Sequence, residues 1–149
     1  LNKKLNKTYI YYGNKGSALY KKQAIQDSNA SSYSAPVSVG RTISKSKRFY
    51  KNSSWDLVDK SEDTKVDYST IKRENLPKEL KKMSDTELKR YVEIQREKRI
   101  LIKKEINQLD KKRRAYIAKQ KKESIKKNEL ESVMINAIKK QAERKNYTW

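Results

Sequence analysis

The sequence that begins at Ser84 constrains the fold more than any other part of the chain. Ser84 and Glu87 form a capping box, in which the serine hydroxyl accepts from the Glu87 amide and the Glu87 side chain reaches back. Glycine and proline, the residues that most disfavour helix, do not occur after Pro77. We therefore predict a long α-helix from Asp85 to about residue 123.

A stripe of positions at alternating spacings of four and three runs along this predicted helix. Six of its ten members are apolar and four are polar, which is too interrupted for a dimeric coiled coil. We therefore expect the helix to be buried in patches, or to pair with a shorter helix. The stripe consists of Leu88, Val92, Gln95, Arg99, Ile102, Ile106, Leu109, Arg113, Tyr116 and Gln120.

A second helix is predicted near the C-terminal end of the chain, at about 129–145. Asn128 and Glu131 are spaced as a capping box, and the apolar residues that follow recur on one helical face. The short link 124–127 allows this helix to fold back beside the long one as a helical hairpin. Its candidate partner-helix face consists of Leu130, Val133, Met134, Ala137 and Ile138.

The N-terminal residues predict an extended segment. Residues 8–12 are all β-branched or aromatic, and turn residues follow at 13–16. This pattern indicates a short strand or arm, whose partner we place upstream of Leu1 because an unpaired strand edge is unfavourable. Since the chain begins at Leu1 without the apolar run of a cleavable signal, we interpret it as a fragment of a longer protein.

Between these ends the sequence predicts several short helices around a small core. Helix formers occupy residues 17–28, and Pro36 suits the first turn of a second helix. A serine cap precedes the apolar residues of the local core, and the polar residues 61–65 indicate a loop. Two further helical turns are separated at Pro77. The candidate core residues are Trp55, Leu57 and Val58.

The predicted fold is therefore mostly α and has three parts. Residues 1–16 form the arm or the exit strand of an upstream domain, 17–83 the short-helix region, and 84–149 the long-helix hairpin. Hydrophobic residues make up 34% and charged residues 38% of the chain, against roughly 45–50% and 25% in ordinary globular proteins. A large core is therefore not expected, and no stretch approaches the ~20 apolar residues of a membrane span.

The formal charge of +20 indicates either an anionic partner or a solvated, lysine-rich surface. The charge is densest in 111–122, where seven of twelve residues are basic and none is acidic. On a helix these charges surround the cylinder, which suits phosphate contacts that do not read base sequence. A solvated helix end is the alternative. The candidate anion or nucleic-acid contacts are Lys111, Lys112, Arg113, Arg114, Lys119, Lys121 and Lys122.

Most residue types that carry enzyme chemistry are missing or scattered. The chain has no cysteine and no histidine, which excludes thiol chemistry, histidine catalysis and zinc-finger sites. Five carboxylates gather within 56–67, but their spacing matches no EF-hand or D-x-S-x-S motif, so we interpret them as surface charge. We predict a non-enzyme without catalytic, metal or cofactor-binding residues. The five carboxylates are Asp56, Asp59, Glu62, Asp63 and Asp67.

Five segments of the chain carry a resemblance to a known family, and they occur in the same order over most of the chain. They are 8–13, 26–30, 52–59, 76–84 and 113–117. The most specific are the Ser-Trp-Asp-Leu-Val-Asp run at 54–59 and the Leu-Pro-Lys-Glu-Leu-Lys-Lys-Met-Ser run at 76–84. These segments resemble the region that follows the von Willebrand factor A domain in certain bacterial exported proteins.

The resemblance implies that the chain is the C-terminal part of such a protein. Its upstream A domain would be a doubly wound α/β unit, commonly with a divalent-metal adhesion site, and residues 8–12 would be the exit strand. The D-x-S-x-S ligands of that site do not occur in these residues, so no metal ligand is assigned here. The resemblance implies an extracytoplasmic location, at the cell surface, in the periplasm or secreted, and an adhesion or assembly role.

Two functions follow from these patterns. The leading hypothesis is a protein–protein interaction or structural module that binds a protein partner or its own upstream domain. The alternative is nucleic-acid binding through the basic run 111–122.

Overall fold

The computed structural model describes residues 1–127 and 129–145, with side chains for 1–124 and 133–145. These residues are mostly α-helical, as predicted, and no strand occurs among them. The helices are α1 (Asn2–Asn6), α2 (Gly16–Tyr33), α3 (Ala35–Ser46), α4 (Leu57–Asp63), α5 (Asp85–Lys127) and α6 (Glu129–Arg144), and 3₁₀ turns occupy Tyr68–Thr70, Arg73–Asn75 and Lys78–Leu80.

Of the two alternatives predicted for the N-terminal residues, a strand or an extended arm, the structure has the extended arm. Residues Asn2–Asn6 form α1, and the extended segment after it makes one isolated antiparallel bridge, between Tyr11 and Asp56. The Tyr12 amide donates to the Trp55 carbonyl at 2.9 Å. The β-branched and aromatic residues do extend the backbone, but they pair with the few residues before α4, which are too few for a ladder.

Helix α2 packs against α3 and is longer than predicted. It continues through the polar residues 28–32, where the Ser31 hydroxyl donates to the Asp27 carbonyl one turn earlier at 3.0 Å. The Ser34 hydroxyl caps α3, and Pro36 lies in its first turn, as predicted. The polar run remains helical because it contains no glycine or proline to end the helix.

Helix α4 is capped by Asp56 and not by the predicted serine. The Asp56 carboxylate accepts from the Asp59 amide at 3.1 Å. The helix continues to Asp63, so the predicted loop at 61–65 begins later than expected. The predicted separation of two helical turns at Pro77 is confirmed by the 3₁₀ turns on either side of it.

Two apolar clusters form the core of residues 1–108, and the three predicted core residues all belong to them. The first cluster lies under the start of α5, and the second surrounds a tryptophan. Their buried members are Ile10, Leu57, Val58, Leu76, Leu80, Leu88 and Val92 in the first, and Leu5, Tyr9, Trp55 and Ile106 in the second.

Helix α5 begins at the predicted capping box. The Ser84 amide donates to Glu87 Oε2 at 2.8 Å, and the Glu87 amide donates to Ser84 Oγ at 3.3 Å. The helix continues to Lys127, so the predicted link at 124–127 is helical. The physical reason is that these residues include no glycine or proline, so nothing in this segment ends the helix.

Helix α6 confirms the predicted second helix. On its apolar face, Val133, Met134 and Ile138 are 64%, 59% and 55% exposed, and Ala137 is exposed as well. The predicted cap Asn128 and the side chain of Leu130 lie outside the described residues.

The chain divides into two units, Leu1–Gln108 and Leu109–Trp149. The first unit contains α1 to α4, both apolar clusters and the beginning of α5. The second contains the rest of α5 and all of α6.

Candidate functional site

A fully buried arginine on α5 is the centre of the first polar cluster. Arg99 Nη1 lies 2.5 Å from Asp56 Oδ2 and 2.7 Å from Asp59 Oδ1. Its Nε donates to Thr8 Oγ1 at 2.9 Å, and its Nη2 donates to the Thr8 carbonyl at 2.6 Å. The guanidinium carbon lies 4.3 Å from the centre of the Tyr9 ring. We call these five residues the Arg99 clamp.

The two carboxylates of the clamp are positioned by other bonds as well. Asp56 accepts from the Ile10 amide at 2.8 Å, in addition to capping α4. Asp59 Oδ2 accepts from the Asn52 amide at 2.8 Å. The clamp therefore joins α5 to α4 and to the extended segment after α1. Its buried charged groups all have hydrogen-bond partners, as buried charges require.

The charge states in the clamp follow from burial and from the ion pairs. Burial opposes the charge on Arg99, but Asp56 and Asp59 outweigh it and raise the pKa of the guanidinium. Burial raises the pKa of the Tyr9 phenol above its ordinary value, against the opposite effect of Arg99. Arg99 is therefore charged and Tyr9 neutral at physiological pH.

The prediction that all five acidic residues at 56–67 are surface charges is wrong for two of them. Asp56 and Asp59 are 0% and 2% exposed, whereas Glu62, Asp63 and Asp67 are exposed. The difference arises because the first two face α5 from the start of α4, where Arg99 forms an ion pair with each of them.

One signal in the sequence could have identified the clamp. Arg99 occupies a polar position in the stripe, between Gln95 and Ile102, and both Arg99 and Gln95 are buried. An arginine on the buried face of a helix requires carboxylate partners. The aspartates at 56–67 are the obvious candidates for these partners, but the sequence alone does not show which of them pair with Arg99.

A second buried polar cluster joins α1, α2 and α3. Lys45 Nζ lies 2.7 Å from Asp27 Oδ2 and donates to Asn6 Oδ1 at 2.5 Å and to Asn2 Oδ1 at 3.0 Å. The same Asp27 oxygen accepts from Asn6 Nδ2 at 2.7 Å and from Asn2 Nδ2 at 3.0 Å. Arg41 Nε lies 2.5 Å from the other oxygen, Oδ1. We call these five residues the Asp27 cluster.

The Asp27 cluster changes the pKa values of its two central groups. Burial would raise the pKa of Asp27, but hydrogen bonds from Lys45, Asn6 and Arg41 together lower it to about 2. Burial lowers the pKa of Lys45, against the opposite effect of Asp27. The carboxylate is thus held in its charged form, while the buried ammonium loses its proton more readily than a solvated lysine.

The predicted anion-contact residues lie in neither cluster. Every side chain from 111 to 124 is exposed. Arg114 lies 3.3 Å from Asp110, and Lys119 lies 3.9 Å from Glu123. Both pairs are spaced i to i+4 on α5. Lys119 and Glu123 form a weak surface pair, whereas Arg114 is exposed and its partner Asp110 is buried. The run 111–122 is therefore a solvated basic helix surface, which we call the basic segment.

No protein-family model, no curated protein and no solved structure matches the chain. Among the residues that the structure describes, no group of three acidic side chains is placed to hold a metal ion. In the same residues no helix is both long and apolar enough to cross a bilayer.

Proposed function

We propose that the chain is a non-enzymatic protein-interaction module whose binding surface includes the apolar face of α6. The single observation that carries the proposal is the exposure of Val133, Met134 and Ile138 on one face of that helix. A solvated helix with no partner has no reason to keep a continuous apolar face, whereas a helix that packs against a protein needs one.

The first unit is held together by its own buried contacts. Its two apolar clusters and the Arg99 clamp fix the beginning of α5 by buried contacts. The clamp joins residues 91 positions apart in the chain, Thr8 and Arg99. A unit held in this way suits a scaffold role, because a preorganised unit loses less conformational entropy when a partner binds.

The resemblance to the region after the von Willebrand factor A domain supports a more specific role. We propose that the parent protein is exported, and that this chain forms its C-terminal region in adhesion or assembly. The resemblance is most specific at 54–59 and 76–84. Trp55, Asp56 and Asp59 of the first segment, and Leu76 and Leu80 of the second, are buried in the described fold.

Position-specific photo-cross-linking in cells that make the parent protein tests the α6 surface. A photo-reactive amino acid at position 134 should give a discrete protein adduct, while the same group at position 136 should not, because Asn136 lies on another side of α6. Substituting Val133→Asp together with Ile138→Asp should remove the adduct, and the matched control Asn136→Asp should leave it. Equal adducts from both positions, or none from either, would contradict the proposed surface.

A second function, binding of nucleic acid, is favoured by the uninterrupted exposure of the basic segment. Seven cations around one helix can contact phosphates from several sides. We infer that this binding does not depend on base sequence, because cations that surround a helix contact phosphates and do not read base edges.

A mobility-shift series across salt concentrations, with duplexes of unrelated sequence, tests this alternative. Replacing Lys111, Lys112, Arg113 and Arg114 by Gln should lower the slope of log affinity against log salt by roughly 3–4, because each phosphate contact contributes about 0.9. The matched control replaces the exposed Lys3, Lys4, Lys21 and Lys22 of the first unit by Gln. If the two variants lose affinity equally, overall charge and not the basic segment is responsible.

A further inference from the structure

The Asp27 cluster contains the three groups that an amide-forming reaction between side chains needs. A lysine, a carboxamide and a carboxylate come from α3, α1 and α2 and meet inside the first unit. We propose that Lys45 and Asn6 form a covalent isopeptide bond, in which Asp27 transfers the protons and the Asn6 side-chain nitrogen leaves as ammonium.

The nucleophile and the electrophile are within reach of each other. Lys45 Nζ lies 2.5 Å from Asn6 Oδ1. Since a carbonyl bond is about 1.2 Å long, Nζ is no more than about 3.7 Å from the Asn6 carbonyl carbon. Reacting atoms in near-attack geometries are about 3–3.5 Å apart. Asn2 is the less favoured partner, because its oxygen lies farther from Nζ, at 3.0 Å.

One carboxylate oxygen connects the atom that loses a proton to the atom that gains one. Asp27 Oδ2 lies 2.7 Å from Lys45 Nζ and 2.7 Å from Asn6 Nδ2. Arg41 binds the other oxygen, Oδ1, which orients the carboxylate and leaves Oδ2 facing both reacting groups. Asp27 Oδ2 is therefore placed to pass a proton from Lys45 to Asn6, and because its pKa is lowered to about 2 it holds that proton only transiently.

A neighbouring amide stabilises the charge that develops on the electrophile. Gln23 Nε2 donates to Asn6 Oδ1 at 3.4 Å. The negative charge of the tetrahedral intermediate appears on this oxygen, so a donor already aimed at it lowers the barrier.

Burial favours the reactive form of the lysine. Lys45 is 0% exposed, and its Nζ lies 5.6 Å from the centre of the buried Tyr9 ring. Burial lowers the pKa of its ammonium, which increases the fraction of neutral amine that can attack. A cavity of about 430 Å³ lies beside Lys45 and is lined in part by Arg41 and Tyr50.

The reaction balances without an oxidant, a reductant or a second substrate. Asp27 takes a proton from the Lys45 ammonium, and the free amine forms the new bond to the Asn6 carbonyl carbon. Asp27 then protonates Nδ2, the bond between that nitrogen and the carbon breaks, and the remaining extra proton passes from Nζ through Asp27 to the ammonia. The Lys45 ammonium and the Asn6 carboxamide become a secondary amide and a free ammonium ion, and Asp27 is again a carboxylate.

Intact-mass spectrometry of the purified full chain, after incubation at neutral pH, tests the proposal. We expect a mass lower than that of the sequence by one ammonia molecule. Tryptic mapping should give one branched peptide that contains Asn6 and Lys45, with no cleavage after Lys45. The variants Lys45→Arg, Asn6→Ala and Asp27→Asn should have the unmodified mass, while the matched control Asn2→Ala should still form the bond.

Circular dichroism of the unsubstituted chain and of each variant shows whether a variant that lacks the isopeptide bond is still folded. A folded, unsubstituted chain with the full sequence mass would overturn the proposal. The proposal is also overturned if ammonia is lost but trypsin still cleaves after Lys45, because the loss then comes from a succinimide at an asparagine.

Discussion

The two parts of helix α5 carry the same spacing pattern and have opposite environments. In the first unit the stripe is buried at Leu88, Val92, Gln95, Arg99 and Ile106. In the second unit its members are exposed, with Leu109 at 47% and Tyr116 at 65%. Arg113 and Gln120 are exposed too. Periodicity therefore predicts which residues share a face, and other parts of the chain determine whether that face is covered.

The comparison also shows that residue type alone does not predict burial. Arg99 and Arg113 occupy equivalent polar positions in the stripe, yet one is fully buried and the other is exposed. The difference is the presence of Asp56 and Asp59, which neutralise Arg99 and satisfy its donors. A buried cation is stable only where such partners already lie within the fold.

Replacing Arg99 should give the largest difference in stability between substitutions in the buried part and in the exposed part of α5. Arg99→Met should lower the free energy of unfolding by about 3–5 kcal/mol, because it leaves two buried carboxylates without their cation. Arg113→Met, the matched control, should change it by less than about 0.5 kcal/mol. Urea unfolding followed by Trp55 fluorescence measures both, in a Trp149→Phe background so that the signal reports on the first unit. Similar losses in the two variants would contradict the clamp.

Apolar members of the stripe should show the same contrast with a smaller effect. Leu88 is 0% exposed and belongs to the first apolar cluster, so Leu88→Ala should destabilise the first unit by about 3 kcal/mol. The same change at Leu109, which is half exposed, should have an effect below about 1 kcal/mol. The urea midpoints of the two variants measure the contrast, and the prediction is wrong if Leu109→Ala is the more destabilising.

High pH should weaken the first unit through Tyr9. Burial raises the pKa of its phenol above the ordinary value of 10.0, so its contribution is fully present below pH 10 and is lost as the pH rises further. We expect a loss of about 1.4 kcal/mol per pH unit above 10. Urea unfolding at a series of alkaline pH values should show a shallower pH dependence in Tyr9→Phe. The exposed Tyr116→Phe should retain the original dependence, and an equal effect of both would exclude Tyr9 as the cause.

Local signals predicted the helices well. The capping box at Ser84, the cap and proline before α3 and the amphipathic pattern of α6 depend on neighbouring residues, and the structure has helices at each place. The boundaries were less accurate at 28–32 and 124–127, because polar residues without glycine or proline do not end a helix by themselves.

Long-range pairing was not predictable from the sequence. The Arg99 clamp joins Thr8, Asp56 and Asp59 to α5, and the Asp27 cluster joins α1, α2 and α3. Neither set has a characteristic spacing, since its members come from separate helices. The same limit applies to residues 8–12. Their extended backbone was predicted correctly, but their pairing with the residues beside Trp55 was not predicted.

The cap of α5 should give the smallest of these effects, and it tests how far the helix depends on its first turn. Ser84→Ala removes the acceptor for the Glu87 amide and should lower the stability of the first unit by about 1 kcal/mol. Thr86→Ala, two residues later and also exposed, is the matched control and should have little effect. Trp55 fluorescence in urea measures both.

If Ser84→Ala also reduces the helicity of a Leu109→Ala chain much more than that of the unsubstituted chain, α5 depends on its cap along its whole length. If the two losses are equal, the buried stripe from Leu88 to Ile106 anchors the helix, and the exposed part is helical through its own residues.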